Sequence, residues 1–136
     1  MLMDVLRDVL EAMPRIEAED ARLDEVHGIT PIPPDGQFRE MQWDSPRLLE
    51  HNVHTEELER KLMTHDTQSL LKMEALLYYG RGDYDSFDDA VRYFRGMDGG
   101  TFEPIRTILE KLTVLREYVD RARRRLEAEG RSIETL

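Results

Sequence analysis

His51 and His54 stand three residues apart, and Glu57 follows three further on. On one continuous helix these side chains would share a face, and imidazole beside carboxylate is a zinc-type donor set. His65-Asp66 lies close behind. His51, His54 and His65, with carboxylates around Trp43 and Tyr79, are therefore the candidates for acid–base chemistry. Two features oppose that reading. Asn52-Val53 and Thr55 mark a helix boundary inside the set, and there is no His-Glu-x-x-His pattern. The expectation is solvent-facing or capping histidines, with no metal and no cofactor.

A second cluster, Asp83, Asp85, Asp88 and Asp89, invites comparison with a calcium loop. Counting from Asp83, the fifth, sixth and twelfth positions are Phe87, Asp88 and Phe94. An EF-hand needs an oxygen ligand, Gly and Glu there, so the pattern fails. Asp88 and Asp89 suit the first turn of a helix instead. Gly80-Arg81-Gly82-Asp83 reads as a structural turn, with glycines free to adopt left-handed geometry and Arg81 within reach of Asp83 or Asp85. The Arg-Gly-Asp tripeptide is not read as an adhesion signal. Arg121, Arg123, Arg124 and Arg125 form a basic run, but Glu117 and Asp120 stand four residues before Arg121 and Arg124. A self-paired helix face is expected. No nucleotide-cradling Gly loop and no Ser-His-Asp arrangement is present.

The chain has 136 residues, no cysteine and a formal charge of -10. Missing thiols exclude a disulfide framework, a cysteine nucleophile and cysteine-ligated metal. The charge argues against general polyanion binding, which needs a basic face. Residues 1–68 carry 16 acidic and 7 basic side chains, and residues 69–136 carry 13 and 12. The acidity thus belongs to the first half. Asp20, Asp24, Glu25, Asp35, Glu40 and Trp43 are the candidate partner-binding residues, and the partner they suit is a basic protein. No apolar run approaches the roughly 20 residues that span a bilayer. The charged start does not read as a signal peptide. A cytoplasmic protein is expected.

The elements that must position these residues are helical. Leu2, Leu6, Val9, Met13, Ile16 and Leu23 mark a helical stripe with Asp20 in one slot, and Pro14 predicts a kink or break. Residues 1–26 form the N-terminal arm. Residues 27–44 are a Pro-rich loop, followed by a short helix from Ser45-Pro46 over about 46–52. A further helix starts at Thr55. Asp66 caps a helix over 67–79 that is apolar almost all round and therefore central, with Gly80 ending it. Ser86 caps the next, over 87–96. Ile105, Ile108, Leu112, Leu115, Val119, Ala122 and Leu126 keep a 3-4 spacing, predicting one long helix over about 102–129. That seam packs on the chain's own helices, with the N-terminal arm as the matching partner, or forms a homodimer over 105–126. Leu70, Leu71, Met73, Leu77, Phe87, Phe94, Ile108, Leu112 and Leu115 are the expected core. The fold class is all-α: a single domain, a compact bundle of four or five helices.

The segments ALLYYGRGDYDSFDDAVRYF (75–94) and IRTILEKLTVLREYVDRA (105–122) resemble an uncharacterised bacterial family, a domain of unknown function. Its members carry a buried helix of the type ALAWLGRGD, an acidic turn, an amphipathic helix and a closing segment read as YLLGTPLLPDYLEEGL. The resemblance covers about residues 57–122. This chain departs from it with Tyr78 in place of Trp and without the proline in the last segment. The resemblance implies an all-helical fold and a bacterial or phage source, and it carries no catalytic residues. Together these features lead to a non-enzymatic protein-interaction or regulatory module. The alternatives are a phage-type inhibitor or immunity protein that blocks a basic nucleic-acid-binding surface by charge mimicry, and an enzyme with an unrecognised His/carboxylate site. Direct nucleic-acid binding and membrane insertion are not expected.

Overall fold

The computed structural model describes residues 1–26, 28, 52–97 and 102–136. The Pro-rich loop, apart from Gly28, and the Ser45-Pro46 helix start lie outside the described residues. Among the described residues there are six α-helices, against the four or five expected, a closing 3-10 turn and no strand. They are α1 (Leu2–Val26), α2 (Val53–Leu62), α3 (Thr67–Arg81), α4 (Phe87–Arg95), α5 (Phe102–Glu110) and α6 (Leu112–Ala128); the turn covers Ile133–Thr135. No described helix is long and apolar enough to cross a membrane.

α1 runs unbroken through Pro14. Proline removes the donor that would bond the Leu10 carbonyl. Leu10 and Pro14 both lie on the solvent side, where water can serve that carbonyl. The stripe Leu2, Leu6, Val9, Met13, Ile16 and Leu23 is buried as the spacing requires. Asn52, rather than Thr55, caps α2: its Oδ1 accepts from the His54 and Thr55 amides at 3.0 and 3.4 Å. Its amide group also donates to the Ile16 carbonyl at 2.9 Å and to Asp20 Oδ1 at 3.0 Å. One buried Asn therefore starts α2 and ties it to α1.

α3 is the centre. Leu70, Met73, Ala75, Leu76, Leu77 and Tyr79 are at most 1% exposed, and α1, α4, α5 and α6 all pack on it. Asp66 caps it through the Ser69 amide at 3.2 Å, and Ser86 caps α4 through the Asp89 amide at 3.0 Å. The helix ends two residues later than Gly80 suggests, at Arg81. Gly82 adopts φ 101°, and the Gly82 and Asp83 amides both donate to the Tyr78 carbonyl, a Schellman closure. Gly80 remains helical and serves a different purpose. A Cβ there would lie 1.9 Å from the Tyr118 carbonyl oxygen, so α3 and α6 cross backbone against backbone at this glycine.

The single long helix over 102–129 is in fact two. Lys111 leaves helical geometry (φ -100°, ψ 7°) between α5 and α6. The apolar spacing continues through this break because Lys111, half-buried, stands outside the apolar stripe, so periodicity carries no sign of it. Ile105, Ile108, Leu115, Val119, Ala122 and Leu126 are buried inside this chain. α6 packs chiefly on α3, not on the N-terminal arm. Phe94 and Leu112, expected in the core, are partly buried at its edge. Ile133 and Leu136 join the core from the closing turn.

Candidate functional site

Glu74 is the single carboxyl of α3, the most buried helix. It is 6% exposed. Thr107 of α5, itself buried, donates its hydroxyl to Glu74 Oε2 at 2.6 Å. Burial raises the Glu74 pKa above the ordinary carboxyl value, because the charged form loses hydration; the Thr107 bond opposes the shift, Glu103 adds to it and Arg106 opposes it. The other oxygen has no partner among the described residues, yet is not fully enclosed. Glu74 lines a cleft of about 920 Å³ between α3, α4 and α5, in which Leu71, Tyr78, Phe94, Met97 and Pro104 supply apolar walls. Tyr78 and Phe94 stack with centroids 5.1 Å apart. Glu103, Glu110, Arg95 and Arg106 form the charged rim. Arg106 is bound to Glu103 at 3.0 Å and approaches Glu110 at 3.8 Å. An apolar cleft with an acid at its floor suits a side chain with an apolar stem and a cationic head.

The raised Glu74 pKa has a consequence for stability. The folded state holds this proton more tightly than the unfolded chain does. Stability is therefore full below the ordinary carboxyl pKa and declines as pH rises from that value through the raised one. Glu74→Gln keeps an acceptor for Thr107 and cannot ionise. Its urea midpoint, relative to the parent, should rise between pH 4 and pH 8. A difference that does not change with pH would show that Glu74 titrates normally.

Of the histidine and carboxylate candidates, His54 and Glu57 do share a face of α2. Nδ1 of His54 lies 3.5 Å from Glu57 Oε2, but that buried nitrogen makes no aligned hydrogen bond. His65 does not join them. Its Nε2 meets Asp8 Oδ2 of α1 at 2.5 Å, and Lys61 approaches the other Asp8 oxygen at 3.4 Å. This cluster staples α2 to α1. Among the described residues no group of three His, Asp or Glu is placed to hold a metal ion. His51 lies outside the described residues. Tyr79 is buried elsewhere, its hydroxyl 3.5 Å from Glu129.

Asp20 is engaged by Asn52, Asp24 is half-buried and Glu25 is exposed. Asp35, Glu40 and Trp43 lie outside the described residues. Other acids of the first half are paired within the chain: Asp4 with Arg7, Glu17 with Arg116, and Glu19 with Arg22. In the turn, Arg81 grips Asp83 through Nε at 3.0 and 3.1 Å. The basic run is paired as its spacing requires, Arg121 with Glu117 at 2.6 Å and Arg124 with Asp120 at 2.9 Å. Arg123 reaches Glu134 at 2.8 Å. Arg125 differs. It donates to the carbonyls of Tyr79 (2.6 Å), Tyr84 (3.0 Å) and Asp85 (3.1 Å).

Sequence reasoning passed over Glu74, Thr107 and Arg125 as functional or structural keys, and read Asn52 only as part of a helix boundary. Glu74 had one available signal, an acid inside the otherwise apolar LLKMEALLYY. Thr107 had none, since its partner lies 33 positions away. Comparison with protein-family models, curated proteins and solved structures found no match to this chain.

Proposed function

We propose that this protein is a non-enzymatic interaction module that receives a basic segment of a partner protein in the Glu74 cleft. The observation that supports this reading is a buried carboxyl with one free oxygen at the floor of a large, aromatic-walled cleft. A Lys or Arg stem would lie along Tyr78 and Phe94, and its head would meet Glu74 Oε1. Contact with a cation would draw the Glu74 pKa back down, so binding releases protons whenever Glu74 is protonated beforehand. The net charge of -10 favours encounter with a basic partner and makes the association rate fall with salt. Asp24 and Glu25 contribute to that long-range attraction.

The charge-mimic reading has less support. Asp4, Asp8, Glu17, Glu19 and Asp20 are engaged within the chain, which leaves a less continuous acidic surface than the composition suggests. The test of the cleft reading is photo-crosslinking from its rim. A crosslinking residue at Met97 should capture a partner through a Lys- or Arg-containing segment, and Glu74→Gln should weaken that capture.

A further inference from the structure

A second groove has the opposite electrostatic character. It has a volume of about 470 Å³ and lies between α3, α4 and the C-terminal turn. Lys72, Arg92, Arg95 and Arg131 line it, together with Asp88, Thr135 and Leu136. Four cations converge here in a chain with ten more acids than bases. Arg131 is bound to Asp88 at 3.3 Å and Arg92 to Asp89 at 3.2 Å. Lys72 and Arg95 have no carboxylate partner among the described residues, whereas most arginines of α6 do. Phe87 and Val91, both buried, form an apolar floor, and the Arg131 guanidinium stands 5.8 Å from the Phe87 ring. An apolar floor limits screening of the charges above it.

We propose that this groove binds a phosphomonoester dianion. Lys72 and Arg95, which have no carboxylate partner among the described residues, supply two positive charges, and Arg92 and Arg131 keep N–H donors beyond those bound to Asp89 and Asp88; together they suit the double charge and three free oxygens of a phosphate ester. The ligand gives Lys72 and Arg95 the anionic partner they lack, and Arg131, oriented by Asp88, holds one edge. The groove is independent of the Glu74 cleft except for Arg95, which borders both.

The test uses side-chain NMR of the full chain at low ionic strength. Inorganic phosphate and a capped phosphoserine peptide are titrated separately, with acetate as the monoanion control. Saturable shifts are expected at the Arg95 and Arg131 Nε–H and the Lys72 ammonium, with acetate at least about tenfold weaker. Lys72→Gln with Arg92→Gln leaves the Glu74 cleft untouched and should weaken binding at least about tenfold, with an unchanged circular dichroism spectrum. Tighter binding of the phosphopeptide assigns a protein-borne phosphate, and equal binding assigns a free one. Absence of saturable shifts with both probes overturns the proposal. So does acetate binding as tightly as phosphate, or a double variant that binds as the parent does.

Discussion

Gly80→Ala should lower stability by about 3 kcal/mol or more, or prevent folding altogether. Two effects compete. Alanine is the better helix former by about 1 kcal/mol, and Gly80 sits in helical geometry, so propensity alone forecasts stabilisation. The added Cβ, however, would stand 1.9 Å from the Tyr118 oxygen, 2.7 Å from the Tyr118 carbonyl carbon and 3.2 Å from Ala122 Cβ. The two nearest atoms are backbone within α6, so no rotamer change relieves the clash. The helices must move apart, and the contact they share is the main one in the core. Overpacking costs about 1–3 kcal/mol when side chains can yield; here they cannot, so the cost sits at or above that range. Domain stability is typically 5–15 kcal/mol, so the loss is large. Gly96→Ala provides the control. Its Cβ would meet nothing nearer than 3.5 Å, its φ is -78°, and the change should be neutral or stabilise by up to about 1 kcal/mol. Urea midpoints of the two variants should move in opposite directions, or differ sharply. A Gly80→Ala midpoint equal to that of the parent would mean that α3 and α6 do not cross here.

Arg125→Ala should cost about 2–3 kcal/mol, far more than Arg121→Ala or Arg124→Ala on the same helix. The guanidinium spans the C-terminal end of α3 and the following turn through three carbonyls. It also lies 4.0 Å over the ring of Tyr79, which is fully buried. Hydrogen bonds from a charged donor contribute about 1.5–3 kcal/mol in net terms, and loss of the stem opens the packing over Tyr79. Arg125→Lys keeps the charge but replaces a planar fork by a point donor, so it should recover less than half of the loss. Arg121 and Arg124 make exposed i,i+4 pairs, which are each about 0.3–0.5 kcal/mol. Thermal unfolding of the three alanine variants separates the cases. Equal losses at all three positions would contradict the staple.

The contrast between Arg125 and its neighbours shows what the sequence could convey. Local rules hold: Asp66 and Ser86 cap their helices, Arg121 and Arg124 find acids one turn back, and the apolar stripes of α1 and α3 are buried. These depend on neighbours within four residues. What was not legible depends on residues distant in the chain. Gly80 resembles a helix terminator in sequence, yet its role is set by Tyr118. Arg125 reads as one member of a solvated run, yet its partners lie 40 and more positions away. The break at Lys111 is invisible because Lys111 stands outside the apolar stripe and leaves its period unchanged. The candidate site follows the same division. His54 and Glu57 share a face as spacing requires, but the Glu74–Thr107 bond and the cleft around it arise only where α3, α4 and α5 meet.

The most direct test of the cleft reading is spatial. A photo-crosslinking residue is placed at Met97, exposed on the cleft rim, and separately at Met63, exposed at the end of α2 and outside the cleft lining. Both variants are irradiated in cells of the source organism, and the attached peptides are read by mass spectrometry. The account predicts a protein adduct from Met97 through a Lys- or Arg-containing segment, weakened by Glu74→Gln and absent from Met63. No adduct at Met97, an equal adduct from both positions, or one indifferent to Glu74→Gln would contradict it.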